Sequence, residues 1–452
     1  MEKTICAIST NPGNGGAISI VRMSGPASVE ITSKIFSNKS FLTAPTHTIH
    51  YGYIVSDGEK IDEVLVMKML SPRTYTTEDI IEINCHGGMS TTNKVLELLI
   101  LNGAELAEPG EFTKRAFLNG RINLLEAESV GDLIEAKNDK ARALAMNGVS
   151  GSLTKLIQDL REKIVTLLAN IEVNIDYPEY EDEKVITHEN ILPELKEISL
   201  SLQKIVKESE NGKILKEGIN VAFIGRPNVG KSSLLNAFLE EEKAIVTDIS
   251  GTTRDIVEGS VNLNGILLNL IDTAGIRDTE DIVEKIGVDK SKKLLDSADL
   301  VILVLNYNEK LTNEDRDLLT KISTKKSIIF LNKNDLESKI DEEIYQYPNI
   351  TIGNTTSING ILPLKNKIID LFHLNELESK DMNYLSNVRQ VTLAKKALNN
   401  IKNVEQQIQE NIPIDMLEIE MKEAWNNLGL IIGATYEDEL IDNLFQKFCL
   451  GK

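Results

Sequence analysis

The feature that most constrains this chain is a short apolar run followed at once by a glycine-rich loop. Residues 219–224 (INVAFI) are typical of a buried strand, residues 225–232 (GRPNVGKS) follow, and the next seven residues, SLLNAFL, continue as a helix. In this order, the spacing GxxxxGK[ST] turns backbone N–H groups around a phosphate, with Lys231 at the β and γ oxygens and the Ser232 hydroxyl on Mg²⁺. The segment predicts a nucleotide-binding domain on a mostly parallel α/β sheet.

Two further motifs follow in the order that a GTPase requires. Residues 251–255 (GTTRD) lie in the next loop, where Thr253 can complete the Mg²⁺ shell and sense the γ-phosphate. Residues 272–275 (DTAG) follow an apolar strand, and they place Asp272 near the metal through water and the Gly275 N–H at the γ-phosphate. Each motif is short, but their order and spacing together predict a GTPase.

A fourth motif selects the base. Residues 332–335 (NKND) follow another apolar strand, and the Asp335 carboxylate can accept hydrogen bonds from guanine N1–H and N2–H₂. Adenine offers no matching donors and would leave a buried charge unpaired. The predicted ligand is therefore GTP and not ATP. The last GTPase element, a Ser-Ala-Lys-like loop beside the base, is degenerate here, and residues 354–357 (NTTS) occupy its place.

The group that orients the attacking water is not obvious from the motifs. In small signalling GTPases a glutamine directly after the DTAG glycine has this role. Here that position is Ile276, whose side chain cannot hydrogen-bond. Another group has to orient the water, and spacing alone leaves the choice open among Arg254, Asp255, Arg277 and the acidic run 280–284.

Helical segments flank the α/β unit on both sides. The predicted fold class is an α+β N-terminal domain, an all-α helical domain and an inserted Ras-like α/β P-loop GTPase domain. The apolar stripes before and after the α/β unit have to be buried, and they can pack on each other if that unit is inserted between them. The alternative is three separate domains in a row. The predicted bounds are 1–118 for the N-terminal domain, 119–215 and 376–452 for the helical parts, and 216–375 for the G domain.

Composition argues against several classes of protein. The 452 residues are 41% hydrophobic and 26% charged, so the chain can bury a core and is not disordered as a whole. The net charge of −20 repels phosphate, which argues against a nonspecific nucleic-acid coat protein. The three cysteines, Cys6, Cys85 and Cys449, lie far apart, contain no CxxC pair and are too few for a disulfide scaffold or a cysteine zinc site. With no signal-peptide pattern and no apolar run of ~18 residues, we expect a cytoplasmic protein that does not span a membrane.

Several motifs together resemble one family, the tRNA modification GTPases MnmE (also called TrmE). They are the loop GRPNVGKSS, the stretch TDISGTTRD, the apolar residue after DTAG, the PGxGG and NCHGG stretches of the N-terminal domain, and the terminal CLGK. The resemblance covers essentially the whole chain. It implies G domains that dimerise face to face around a potassium ion, which replaces an arginine finger.

The resemblance also implies the residues of the nucleotide site. K⁺ would be bound by Asn228, Thr247, Ile249 and Thr252, Mg²⁺ by Ser232 and Thr253, and the water-orienting group would be Glu284. The candidate GTP-binding residues are Asn228, Val229, Gly230, Lys231, Ser232, Ser233, Thr247, Asp248, Ile249, Ser250, Gly251, Thr252, Thr253, Asp272, Thr273, Ala274, Gly275, Asn332, Lys333 and Asp335.

The same resemblance implies a folate site in the N-terminal domain, at the interface of a homodimer. The matching positions for 5-formyltetrahydrofolate or a related folate are Arg22, Glu82, Arg121 and Lys452. A carboxylate can pair with the donor edge of a pterin ring, and cations can meet the glutamate tail. Some relatives carry Lys at the position of Arg121, which keeps the charge but changes the hydrogen-bond geometry. Cys449 is expected to be needed for modification, so we assign it with Glu284 as a candidate catalytic residue.

The implied function is GTP-dependent modification of the wobble uridine of certain tRNAs at C5, by an aminomethyl-type group. A flavin-binding partner, MnmG in this family, would supply FAD in a heterotetramer or larger assembly. This chain has no GxGxxG at a strand-to-helix turn, which is consistent with a flavin held by the partner. The alternatives are a ribosome-assembly GTPase switch and a folate enzyme regulated by its GTPase. His86 is either a site group or a turn histidine, and the basic residues Lys114, Arg115, Lys137, Lys140 and Arg142 are candidate tRNA contacts or solvated surface.

Overall fold

The computed structural model describes residues 3–10, 16–176, 188–241, 257–272, 298–357, 359–374 and 385–434, together with residues 441, 444–446, 448 and 451. The chain forms two compact units, one of residues 1–131, 148–199 and 396–452 and the other of residues 132–147 and 200–395. The first unit thus contains segments that lie before and after the second unit in the sequence. An inserted domain requires this arrangement, whereas three domains in a row would not produce it. The finer bounds given above stay predictions. Within the described residues, no helix combines the length and the apolarity needed to cross a bilayer.

A six-stranded sheet forms the centre of the N-terminal part of the first unit. Its order is β3-β4-β5-β2-β1-β6, and its pairs are antiparallel except for β1 with β6. Alternation along β5 turns Ile81, Ile83 and Cys85 into the core. The strands are β1 (Ile5–Ile8), β2 (Ile18–Ser24), β3 (Thr48–Ser56), β4 (Glu59–Met69), β5 (Ile80–His86) and β6 (Glu105–Leu106).

Helices α1 (Ser28–Ile35) and α2 (Met89–Leu101) pack on that core face and leave the other face of the sheet uncovered by them. Residues 90–93 (STTN) near the start of α2 have low helix propensity. Packing overrides that propensity, since Thr92 is buried and its backbone N–H donates to the Gly88 carbonyl over 2.9 Å. The α+β texture of this part was predicted correctly.

The helices that follow are α3 (Glu111–Leu118), α4 (Leu124–Glu135), α5 (Asp139–Val149), α6 (Ser152–Asp176) and α7 (His188–Glu217). Along α6 the apolar residues at steps of three and four are buried, including Ile157, Ile164 and Ile171. One face of α6 is thereby removed from water, which stabilises the fold by roughly 1.5–3 kcal/mol for each large apolar side chain buried.

The second unit contains a six-stranded sheet in the order β12-β11-β10-β7-β9-β8, parallel except for the β8–β9 pair. Along β10, Ile302 and Val304 face one apolar cluster whereas Val301, Leu303 and Leu305 face another, so this strand is buried on both faces. The elements are β7 (Ile219–Ile224), α8 (Lys231–Glu241), β8 (Val257–Leu263), β9 (Ile266–Asp272), β10 (Leu300–Asn306), α9 (Asn313–Ile322), β11 (Ser327–Asn332), β12 (Ile350–Ile352) and α10 (Leu362–Leu371).

Two late helices follow, α11 (Val388–Gln409) and α12 (Ile414–Ile432). Within the first unit, α12 packs against α6, so the early and late helical segments bury their stripes on each other as the sequence predicted. At this contact the Arg161 guanidinium lies 4.2 Å from the centre of the Trp425 ring, and a Cβ at Gly429 would come within 3.2 Å of the same guanidinium. A small residue at 429 therefore lets α12 approach the arginine closely.

Candidate functional site

The glycine-rich loop joins the carboxyl end of β7 to the first turn of α8. Gly225 has φ +147°, and a Cβ there would lie 2.4 Å from the Val304 carbonyl oxygen. Gly230 has φ +99°, and a Cβ there would lie 2.3 Å from the Asn332 Nδ2 atom. Both positions thus need glycine for two reasons, the backbone conformation and the close approach of β10 or of the residue that ends β11.

Side chains satisfy the carbonyl groups of this loop one after another. The Lys231 ammonium donates to the carbonyls of Gly225 (2.7 Å) and Arg226 (2.8 Å). The Lys333 ammonium donates to the Asn228 carbonyl (3.1 Å), and the Asn332 amide donates to the Val229 carbonyl (2.9 Å). Because its carbonyls are held in this way, we expect the N–H groups of the loop to be free for an anion, as the motif predicts.

The other predicted residues near this loop lie at its turn, in the first turn of α8 and at the end of β9. Asn228 is exposed and has φ +64°, while Val229 is fully buried and anchors the loop in the core. Ser232 and Ser233 are exposed in the first turn of α8. Asp272 ends β9, and its backbone is paired with Phe223 of β7, so both strands end at the same edge of the sheet as the loop.

The NKND segment lies directly beside the phosphate loop. Asn332 is 1% exposed, and its Oδ1 atom accepts a hydrogen bond from the Lys333 N–H (2.9 Å), which helps to hold Lys333 at φ +67°. Asp335 is exposed at the position predicted to meet guanine. The degenerate fifth element, residues 354–357, contacts the NKND segment, because the Asn354 Nδ2 atom donates to the Asn334 Oδ1 atom over 2.7 Å.

Arg226 of the loop is held by two carboxylates that are not part of the GTPase motifs. Its Nε atom donates to Asp315 (2.9 Å), its NH2 group donates to Glu309 (3.1 Å), and the hydrogen bond to Asp315 raises the pKa of the guanidinium above its ordinary value. The acidic partners lie more than 80 residues further along the chain, so no local pattern indicated them.

The other predicted residues of the nucleotide site lie outside the described residues. This applies to the alternatives Arg254, Asp255, Ile276, Arg277 and the run 280–284 as well. The assigned residues concerned are Thr247, Asp248, Ile249, Ser250, Gly251, Thr252, Thr253, Thr273, Ala274, Gly275 and Glu284.

The first unit brings together part of the predicted folate site. Arg22 of β2 and Glu82 of β5 are register partners, and their side chains form an ion pair with Nε and Oε1 2.7 Å apart. The carbonyl of Gly451 accepts hydrogen bonds from the Ser9 hydroxyl (3.0 Å) and from Arg22 (3.4 Å). The C-terminal segment thus reaches the Arg22–Glu82 pair, although its neighbours Cys449 and Lys452 lie outside the described residues.

Arg121 lies in a separate cleft. Its guanidinium donates to the Tyr75 carbonyl (3.1 Å) and stands over the Tyr75 ring, 4.8 Å from its centre. The cleft has a volume of about 530 Å³ and is also lined by Arg73. Tyr75 packs against the apolar cluster that contains Phe112, and Arg22 stands over the Phe112 ring at 5.7 Å. An aromatic layer therefore connects the cleft to the Arg22–Glu82 pair, but the described contacts do not join Arg121 to that pair.

His86 makes a contact that the sequence did not predict. Its Nδ1 atom lies 2.6 Å from an oxygen of Asp62, whose other oxygen accepts from the His86 backbone N–H (2.8 Å). Asp62 comes from β4, and only strand pairing reveals it as a partner. Cys85 beside it is buried, and burial raises the pKa of its thiol.

The basic residues proposed as tRNA contacts differ in their accessibility. Arg115 is held by Glu78 (3.0 Å) and Glu111 (2.9 Å) and its side chain is only 13% exposed, so its role is structural. The Lys140 ammonium is buried. Arg142 pairs with Asp139 at the surface over 3.3 Å.

Comparison with known proteins places the chain in a family. Residues 4–121 match the family model "GTP-binding protein TrmE N-terminus", and residues 124–449 match "MnmE helical domain". The tRNA modification GTPases MnmE of Bacillus mycoides and Listeria innocua are each 51% identical to it, over 99% of both chains. Among solved structures, the G domain of the T. maritima FeoB iron transporter is 32% identical and covers 34% of this chain and 98% of that chain, with a TM-score of 0.26. The expected family is confirmed: the chain belongs to the tRNA modification GTPases MnmE.

Proposed function

We propose that this chain hydrolyses GTP to drive modification of C5 of the wobble uridine of certain tRNAs, by an aminomethyl or carboxymethylaminomethyl group. Family membership supports GTP as the nucleotide and tRNA as the substrate. A folate such as 5-formyltetrahydrofolate would supply the one-carbon unit, and FAD would be held by the partner MnmG.

The observation that carries the folate part of the proposal is the position of Gly451. A tail more than 400 residues distant in sequence is hydrogen-bonded to Ser9 and Arg22, next to the Arg22–Glu82 ion pair. The two residues that the family resemblance singles out in the tail, Cys449 and Lys452, are two positions before and one position after Gly451. The tail thus contacts the Arg22–Glu82 ion pair, and we propose that a folate would exchange this pairing for contacts of the carboxylate with the pterin and of the cation with the glutamate tail.

The open face of the N-terminal sheet supports a homodimer. The strand register places four exposed apolar residues on the same face as Glu82. Tyr51 lies opposite Leu65 and two residues from Ile49, whereas Asn84 and His86 of β5 separate these three from Ile18. Exposed apolar side chains grouped in this way support a protein contact there. A second copy of this chain would cover that face and enclose the folate site. These residues are Ile18 (65% exposed), Ile49 (62%), Tyr51 (57%) and Leu65 (46%).

In the nucleotide site, Ser232 and Thr253 would hold Mg²⁺, and Asn228 with Thr247, Ile249 and Thr252 would hold K⁺. The exposed side chain of Asn228 in the phosphate loop supports its part in this set. When bound, the two cations would offset negative charge on the phosphates.

Glu284 is proposed to orient the attacking water, because Ile276 cannot. Glu284→Ala should leave GTP affinity nearly intact and slow the hydrolysis step, since a water-orienting group acts in the transition state and not in binding. Single-turnover hydrolysis with a separate binding titration distinguishes the two effects. A large loss of affinity in this variant would contradict the assigned role.

We propose that tRNA contacts are shared with the partner, because the net charge of −20 repels phosphate. The decisive experiment is nucleoside analysis of tRNA from cells that lack this chain. Loss of the C5 group on the wobble uridine supports the proposal. Unchanged nucleosides together with defective ribosomal subunits would instead identify a ribosome-assembly GTPase.

A further inference from the structure

Arg226 lies inside the phosphate-binding loop, but its side chain leads out of it. The guanidinium is held between Asp315, with Nε and Oδ1 2.9 Å apart, and Glu309, with NH2 and Oε2 3.1 Å apart. Two charged acceptors in these directions commit it to the protein and not to a phosphate.

Asp315 ties Arg226 to a rigid element. It is 1% exposed, and its Oδ2 atom accepts from the backbone N–H (2.9 Å) and the hydroxyl (2.8 Å) of Thr312, in the capping box that begins α9. Its Oδ1 atom accepts from Arg226. One carboxylate therefore holds both the first turn of α9 and the Arg226 side chain. Helix α9 in turn packs into the core through Leu319 and Ile322.

Glu309 ties the same guanidinium to the sheet. Its Oε1 atom accepts from the Asn306 amide (2.7 Å), and Asn306 is the last residue of β10 and 4% exposed. Arg226 is thus anchored both to a helix and to the strand next to β7.

The backbone of Arg226 is the part that meets the nucleotide machinery. The Lys231 ammonium donates to the carbonyls of Gly225 and Arg226. The position of those two carbonyls sets the position of the ammonium, and the side chain of Arg226 fixes the peptide that carries one of them. We propose that Arg226 is a positioning residue for GTP binding, which holds the Gly225–Arg226 peptide so that Lys231 and the loop N–H groups are pre-arranged for the phosphates.

A cradle that grips the phosphates equally in the ground state and the transition state contributes uniform binding, so its loosening raises KM and leaves kcat unchanged. Arg226→Lys keeps the charge opposite the buried Asp315 but cannot bond both carboxylates in the same fork-like geometry. We expect Arg226→Lys to raise the Kd and KM for GTP about tenfold and to change kcat by less than about twofold.

The matched control is Arg316, which lies on α9 in the same unit and is also held by two carboxylates, Glu343 (2.6 Å) and Asp341 (3.8 Å). Its side chain is 45% exposed, and it makes no described contact with the phosphate loop. Arg316→Lys should leave Kd, KM and kcat within about twofold of the parent chain. Melting temperatures without nucleotide are measured on all variants of the full chain.

Two results would overturn the proposal. Arg226→Lys that binds GTP as tightly as Arg316→Lys, whatever its melting temperature, would make Arg226 a purely structural residue. A fall in kcat without a rise in KM would place Arg226 at the reacting groups. If Arg226→Lys does not fold, the test uses Glu309→Gln, because Glu309 is the half-exposed one of the two carboxylates that hold Arg226. A GTP affinity equal to that of the control Glu343→Gln would overturn the proposal. A loss of GTP affinity in Glu309→Gln alone supports it.

Discussion

Replacement of Asn332 by alanine tests the link between the base-recognition motif and the phosphate loop. The Asn332 amide donates to the Val229 carbonyl over 2.9 Å, and its oxygen accepts from the Lys333 N–H over 2.9 Å. Asn332 and Val229 are both buried, so water cannot easily replace the bond between them. Asn332→Ala therefore leaves two backbone groups without their side-chain partners.

The size of the effect follows from these two groups. An unsatisfied buried carbonyl costs about 1–3 kcal/mol, and a lost neutral hydrogen bond to the Lys333 N–H costs about 0.5–1.5 kcal/mol. The sum is roughly 1.5–4.5 kcal/mol, or about a 12- to 1,600-fold change in an equilibrium constant at 1.4 kcal/mol per factor of ten. Both groups belong to loops that we propose bind GTP, so we expect most of the loss to appear in nucleotide affinity.

The assay is an equilibrium titration with a fluorescent GTP analogue, combined with thermal unfolding of the nucleotide-free chain. Asn313→Ala is the control, because Asn313 is an exposed asparagine at the start of α9 in the same unit. If Asn332→Ala binds GTP within about threefold of Asn313→Ala, the free energy is not coupled into the site and the reasoning is wrong.

Three further predictions concern other parts of the chain. Burial raises the pKa of Cys6 to about 12 and also raises that of Cys85, so the thiolate form is suppressed at pH 8. Both should resist iodoacetamide in the folded chain and react after denaturation, as peptide mass spectrometry will show; rapid native labelling would contradict their burial. GTP turnover should rise when potassium replaces sodium, and Asn228→Ala should remove the difference; equal rates in both salts for the parent chain would exclude a potassium site. Gly451 has φ +87°, and Gly451→Ala would place a Cβ 2.4 Å from the Ile8 carbonyl oxygen and so displace the tail. Folate affinity should then fall by about tenfold while GTP turnover persists. Unchanged folate binding would show that the tail is not part of the site.

The sequence was most informative where one short segment contains both an element and its chemistry. Residues 219–241 predicted a strand, a phosphate loop and a helix, and the structure has β7, the loop and α8 in that order. The strict spacing of the motif reflects local backbone geometry, which Gly225 and Gly230 illustrate by their φ angles. Local geometry of this kind depends on consecutive residues, so the sequence alone can predict it.

Long-range partners were not predictable in this way. Arg22 of β2 meets Glu82 of β5, and Asp62 of β4 meets His86 of β5. Arg226 of the phosphate loop meets Asp315 of α9. Each pair depends on strand register or on tertiary packing, neither of which periodicity determines. The family resemblance named Arg22 and Glu82 as site residues, but it did not indicate that they neutralise each other.

Contacts of the phosphate loop show that the GTPase motifs are not independent of one another. In the sequence they appear as separate matches, each of which can occur by chance. In the structure Asn332 and Lys333 of the base-recognition motif bind carbonyls of the phosphate loop, and a Cβ at Gly230 would collide with the Asn332 amide. A change in one motif therefore alters the geometry of the other, so the two have to be selected together. Their joint presence is a physical requirement of one site, and substitutions in NKND should disturb phosphate binding as well as the choice of base.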